Sequence, residues 1–292
     1  MDMYIEALLF PIPFFKLEYL DKYKSNIIKI PLNENSPEII PCYFQPNSES
    51  NNLLIIFHGN GSDIFNLAYY APELSKKNNI NILIPEYPGY SLYTTSLHSP
   101  EKCLENALII YDFVLNNIKN ISEKNIYIFG RSLGTSIAAF LASQRNPARI
   151  FLLSPFTTYA SVGKHDVEDN KILNKYFRTI DYVDEIKAPI LFIHGKCDYI
   201  VSSEESVKLF EKCNKSIKKE IILKEDMGHN FLYEFLRDDI IPSIADFAKK
   251  NCPWNNDINN GNDKDKNIID FDKKFYINDE DVQNILKYFK EA

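Results

Sequence analysis

From about residue 50 to residue 250 the chain alternates short apolar runs with longer amphipathic stretches. Residues 53–57, 80–84, 125–129, 149–153, 189–193 and 220–223 are rich in Ile and Leu, without in–out alternation. Runs of this kind predict strands covered on both faces of a sheet. Between them, residues 64–77, 100–118, 133–145, 203–213 and 231–249 predict helices. In the third, Leu133, Ile137, Phe140 and Leu141 recur at helical spacing, and Pro147 stops the run. Strand–helix repetition predicts an α/β fold with a mostly parallel, doubly wound sheet. Residues 27–30 and 39–44 add two expected antiparallel strands at one edge.

Two regions break the rhythm. Residues 155–188 separate two strands by more than a single helix and contain Gly163, His165 and an acidic patch. In an α/β sheet an insertion there lies above the strand C-termini, where ligands bind, so a small cap is expected. Residues 255–267 are almost all Asn, Asp, Lys and Gly, too polar to build a core. Beyond them Val282, Ile285, Leu286 and Phe289 share one helical face behind a capping stretch at 279–281. The expected organisation is a domain over 1–250 and a dispensable tail over 251–292 that ends in a short amphipathic helix.

Composition narrows the function classes. A chain of 292 residues with 45% hydrophobic and 25% charged residues is an ordinary globular protein, and a net charge of −7 offers no footprint for nucleic acid. Five cysteines, none at CxxC spacing, favour reduced thiols in a cytoplasmic compartment over disulfides or a zinc site. Asp2 and Glu6 replace the positive charge a signal peptide needs, and no run approaches the length of a membrane span. The apolar run over residues 7–15 has two readings: shallow contact with a membrane surface, or packing as the first segment of the core.

The chemistry gathers in loops after the predicted strands. Gly130-Arg131-Ser132-Leu133-Gly134 follows one strand directly and opens a helix, the G-x-S-x-G elbow that lifts a serine hydroxyl above a sheet edge. A serine needs a base, and the base an orienting acid. His229, in the loop Asp226-Met227-Gly228-His229, is the expected general base; Asp198, in His194-Gly195-Lys196-Cys197-Asp198, is the expected acid. Asp226 competes for the second role, but its place three residues before His229 suits a turn former. His98 and His165 are read as solvated, and His58 and His194 as structural hydrogen-bonding groups. The loop His58-Gly59-Asn60-Gly61 is expected to give the Asn60 amide to an oxyanion hole together with the Leu133 amide. Glycine is scarce, nine residues in all, and seven of them (59, 61, 89, 130, 134, 195 and 228) border these loops. No metal-ligand spacing, Walker loop or dinucleotide fingerprint occurs, so no cofactor or metal is expected.

HGNG, EYPGYS, GRSLG, LLSPF, HGKCDYIV and GHN, in this order, resemble the α/β-hydrolase superfamily of serine hydrolases over residues 25–250. Within it the chain resembles the intracellular branch called α/β-hydrolase domain-containing protein 17. The resemblance implies removal of palmitoyl groups from membrane-bound proteins, with Ser132, Asp198 and His229 as triad and the Asn60 and Leu133 amides as oxyanion donors. The implied partner is an acylated protein or a small ester or thioester, met at the cytosolic face of a membrane. Animal members of the branch begin with a palmitoylated cysteine cluster, whereas the first cysteine here is Cys42. The competing readings are a serine peptidase of the same fold and a catalytically silent interaction module.

Overall fold

A computed structural model describes residues 3–14, 16–33, 36–119, 121–163, 165–230, 247 and 269–291. Apart from Phe247, the expected helix over 231–249 lies outside the described residues, as do the polar stretch 255–267, Phe15, Cys252, Gly261 and the Phe289 side chain.

Among the described residues eight strands form one sheet: β1 (Ile27–Pro31), β2 (Ile39–Gln45), β3 (Leu53–Phe57), β4 (Asn81–Pro85), β5 (Ile126–Arg131), β6 (Arg149–Leu153), β7 (Ile190–Gly195) and β8 (Lys219–Lys224). Their order is β1-β2-β4-β3-β5-β6-β7-β8, antiparallel at the first two pairings and parallel thereafter. Every residue of β4, β6 and β7 is buried, as their unalternating apolar sequences require. Strand β8 is the exception: its Lys–Glu–Ile–Ile–Leu–Lys sequence leaves it half-exposed at the sheet edge, where charge discourages further pairing.

Helices cover both faces. Among the described residues they include α1 (Met3–Leu9), α2 (Leu17–Tyr23), α3 (Ile64–Ala68), α4 (Ala71–Asn78), α5 (Pro100–Asn117), α6 (Leu133–Gln144), α7 (Val167–Leu173), α8 (Thr179–Tyr182), α9 (Ser203–Lys212) and α10 (Asp279–Glu291). One apolar cluster contains Ile110, Ile137, Leu141 and Phe192; the other, on the opposite face, contains Ile64, Phe65, Ile82 and Leu191. The single helix expected over 64–77 is two, α3 and α4. Pro72 lacks the N–H an interior turn needs and instead opens α4, with Asn79 closing it in a left-handed conformation at φ 49°. No described helix is long and apolar enough to cross a membrane.

The inserted region divides its duties. Its first part pairs Val162 with Val201 and donates the Gly163 N–H to the Ile200 carbonyl at 2.7 Å, against the loop of Asp198. Its later part, α8, packs on α6 through an edge-to-face contact of Tyr182 on Phe140. It is therefore partly a cap and partly the crossover to β7.

Both chain ends dock on the sheet domain. Ile5, Leu9 and Phe10 are buried, and Phe10 packs among Tyr90, His98 and Phe177. Ile12 and Phe14 face solvent, Phe14 with 84% exposure. At the other end the arrangement differs from the separate tail the polar stretch suggested. Ile269 and Phe271 are buried, and Phe271 packs edge-to-face on Phe44 at 4.9 Å. Tyr276 bridges Ile28, and the Ile277 N–H donates to the Ile27 carbonyl at 3.1 Å. Helix α10 follows, with Val282, Ile285 and Leu286 against the second cluster and a Lys29–Asp281 ion pair at 2.6 Å. The apolar face read from the sequence is thus a docking face for the domain itself.

Candidate active site

Four loops meet at the C-terminal ends of β3, β5, β7 and β8. Register pairs Phe57 of β3 with Gly130 of β5, so the loop of Asn60 and the turn of Ser132 rise side by side. Ser132 sits between β5 and α6 at φ +49° and ψ −116°, backbone that a non-glycine residue adopts at a cost. The turn closes only because its flanks lack side chains. A Cβ at Gly130 would stand 2.4 Å from the Gly134 carbonyl oxygen, and one at Gly134 only 2.1 Å from that of Phe57. The hydroxyl emerges on a residue of 5% exposure.

His229 joins the serine to an acid. Its Nε2 lies 3.0 Å from Ser132 Oγ and its Nδ1 lies 2.7 Å from Asp198 Oδ2. The loops carrying His229 and Asp198 touch through backbone: the Cys197 N–H donates to the Met227 carbonyl at 3.1 Å. A Cβ at Gly195 would lie 1.9 Å from that same oxygen, so glycine is required at this crossing.

Asp198 accepts from all sides. Its Oδ1 takes the N–H groups of Ile200 at 3.0 Å and Val201 at 2.8 Å; its Oδ2 takes His229 and, at 3.2 Å, His194 Nε2. Burial alone would push this carboxyl up. The bonds from His194 and His229, the charge of His229 and the Val201 amide outweigh it and hold the carboxyl well below the usual carboxylate range. A carboxylate so fixed can orient an imidazole and stabilise its protonated form.

The other predicted residues are distributed as follows. Leu133 is the first residue of α6, a position whose N–H has no intrahelical acceptor and is free to face an anion. Asn60 lies in the loop after β3, its side chain fastened by the Tyr90 hydroxyl, which donates to Oδ1 at 2.8 Å, and by the Tyr159 oxygen, which accepts from Nδ2 at 2.8 Å. Asp226 is exposed in a turn and makes no approach to His229 among the described contacts. His98 is not solvated: it pairs with Glu6 at 3.2 Å and packs against Phe10 and Tyr90.

Three further residues support the site: Arg131 and Tyr159, which did not stand out in the sequence, and His194, which was read as a structural hydrogen-bonding group. Arg131, the variable position of the elbow motif, donates through Nη2 to the His229 carbonyl at 2.9 Å and to Asn230 Oδ1 at 3.4 Å, tying the histidine loop to the nucleophile turn. His194 accepts from Ser206 Oγ at 2.6 Å and turns its Nε2 to Asp198. Tyr159 donates its hydroxyl to the Leu8 carbonyl at 2.7 Å, joining the N-terminal segment to the Asn60 loop. A histidine four residues before the acid at the end of one strand was the available signal for His194; Arg131 and Tyr159 had none.

Against known proteins, the profile of the prolyl oligopeptidase family matches residues 94–253, more than half of the sequence. The chain belongs to the prolyl oligopeptidase family. Among its relatives, a protein of Acanthamoeba polyphaga mimivirus that carries an alpha/beta-hydrolase name is 28% identical over 251 residues, 83% of this chain and 93% of that protein. The human alpha/beta hydrolase domain-containing protein 17B is 29% identical over 192 residues, 65% of each chain, so the match spans under two thirds of that protein. The fold of this family member is shared by Pyrococcus furiosus esterase Pf2001 at a TM-score of 0.61 and 17% identity, over 82% of this chain and 94% of the other. Est1E from Butyrivibrio proteoclasticus superposes at 0.59 and 18% identity, over 77% and 100%. The eight-stranded, mostly parallel sheet is thus an α/β-hydrolase fold, and the family member is a hydrolase.

Proposed function

We propose that the protein hydrolyses acyl thioesters and esters through Ser132 as nucleophile, His229 as general base and Asp198 as the orienting carboxylate. The observation that carries this reading is the unbroken relay from Ser132 Oγ to His229 Nε2 at 3.0 Å and from His229 Nδ1 to Asp198 Oδ2 at 2.7 Å. His229 takes the hydroxyl proton as Oγ attacks the acyl carbon, and the oxyanion is met by the amides of Leu133 and Asn60. The same imidazole returns the proton to the departing thiol or alcohol, and water then cleaves the acyl-enzyme. No step needs a cofactor.

The similarity to the domain-containing protein 17 branch supports a palmitoylated protein as substrate, at the cytosolic face of a membrane. Exposed Ile12 and Phe14 lie just beyond Pro11, whose ring stands beside Gly61 of the Asn60 loop, and suit peripheral contact with that surface. The family's name favours a second reading, cleavage of peptide amides by the same triad. Turnover of matched p-nitrophenyl esters, acyl thioesters and aminoacyl amides by wild type and Ser132→Ala separates them. We expect thioesters and esters to be cleaved, and Ser132→Ala to lose roughly 10⁴-fold or more. A preference for amides would replace the acyl-ester reading with the peptidase one. Retention of over about a tenth of wild-type rate in Ser132→Ala would remove the triad assignment.

A further inference from the structure

Beneath the Asn60 loop lies a buried polar cluster for which the triad has no use. His58 and Glu86 are both buried, facing each other at 3.1 Å between Nε2 and Oε1. Glu86 is itself held by the N–H groups of Tyr87 at 3.0 Å and Ile64 at 3.3 Å, and by the Ser91 hydroxyl. On its other side the His58 ring presents Nδ1 to the Gly59 carbonyl oxygen at 3.1 Å. Both ring nitrogens therefore face acceptors, and Nδ1 meets the Gly59 carbonyl as a donor when it carries a proton. The ring cannot turn away, because Tyr87 stacks on it at 3.9 Å and donates its hydroxyl to the His58 carbonyl at 2.7 Å.

The consequence falls on the next peptide. The Gly59–Asn60 bond is trans, so its carbonyl and N–H point in opposite directions. The carbonyl is pulled toward the cluster by His58 Nδ1 and by the Ser62 N–H at 3.2 Å. The Asn60 N–H must then point away from the cluster. Tyr90 and Tyr159 pin the Asn60 side chain, so the peptide cannot relax by swinging it.

We propose that His58 is a positioning residue: its Nδ1–H fixes the Gly59 carbonyl so that the Asn60 N–H is aimed at the oxyanion formed over Ser132, and Glu86 keeps the proton on Nδ1. The inference rests on the acyl-hydrolase reading of Ser132. It asks of His58 an electrostatic preorganisation, with no contact to substrate.

The test compares wild type, His58→Phe, Glu86→Gln and Ser132→Ala on a soluble p-nitrophenyl ester, together with inhibition by a trifluoromethyl ketone that adds to Ser132 as an oxyanion. Removing a whole oxyanion donor costs about 10²–10³ in kcat, so misaiming one in His58→Phe should cost about 10–100-fold in kcat with KM nearly unchanged. Ketone affinity should fall by a similar factor, which a loss of packing alone would not produce. Glu86→Gln keeps an oxygen for the Tyr87 N–H but removes the negative charge beside Nε2 that favours protons on both ring nitrogens, so its kcat should fall in the same direction, by about 10-fold. Wild-type kcat or ketone affinity in His58→Phe overturns the proposal, as does an unimpaired Glu86→Gln enzyme. Should His58→Phe fail to fold, the ring ¹⁵N signals of wild-type His58, assigned through its contact with the Tyr87 ring, decide: a proton on Nδ1 supports the proposal and its absence overturns it. An active Ser132→Ala enzyme would instead discredit the triad, which keeps the two failures apart.

Discussion

Two buried carboxyls near the same sheet edge are pushed in opposite directions. At Asp198 four donors converge, and the carboxylate stays ionised beside His229. At Asp63, Oδ1 caps α3 through the Asn66 N–H at 2.8 Å, while Oδ2 is buried without a hydrogen-bond partner. Burial, and then the charge of Glu86, push the Asp63 carboxyl up to about 6. A carboxyl that binds its proton more tightly when folded stabilises the fold below its ordinary range, and that contribution is lost as pH rises through about 6. Asp63→Asn keeps the capping oxygen and removes the titration. Relative to wild type, the variant should gain stability between about pH 4 and 6 and keep a gain of about 3 kcal/mol above it, measured by urea unfolding. A difference that does not change with pH would show that Asp63 titrates normally. At this scale the sequence made Ser132, Asp198 and His229 legible, because a strained turn and strand-end loops impose spacing. His194 was legible as a hydrogen-bonding group four residues before Asp198, whereas Arg131 was not, since the His229 loop it holds follows another strand.

Among the elements, those built on local rules match their sequences closely. Helix α5 begins at Pro100 behind Ser99, whose hydroxyl accepts the Lys102 N–H at 3.2 Å, and α6 starts at the elbow itself. The α3–α4 break is also local, written in Pro72, although the apolar period runs across it. The docking of the chain's end is different in kind. Its amphipathic face was readable in Val282, Ile285 and Leu286, but nothing nearby names the surface it meets, which is formed with residues such as Leu20, Tyr43 and Ile82. Truncation after residue 268 should therefore destabilise the domain. Loss of buried Ile269, Phe271 and Val282 alone removes about 5 kcal/mol, at roughly 1.5–3 kcal/mol per side chain. Thermal unfolding of the truncated protein should show a large fall in midpoint or outright aggregation; an unchanged midpoint would return the segment to the status of a dispensable tail.

For the molecule as a whole, unalternating apolar strands could only be buried on both faces, and alternation with helices then required a parallel sheet. The strand order was less accessible: β4 lies outside β3, and the β1–β2 pair extends that edge, choices made by long-range packing. This order is what brings four strand ends together, and with them the serine, the histidine, the acid and the amides of Leu133 and Asn60. The central claim is that this convergence makes Ser132 a nucleophile. Intact-protein mass and peptide mapping after brief treatment with a fluorophosphonate test it most directly, with wild type compared to His229→Ala. We expect one adduct per chain, on Ser132, forming at least about 10²-fold more slowly in His229→Ala. No adduct, an adduct elsewhere, or equal rates in the two proteins would contradict it.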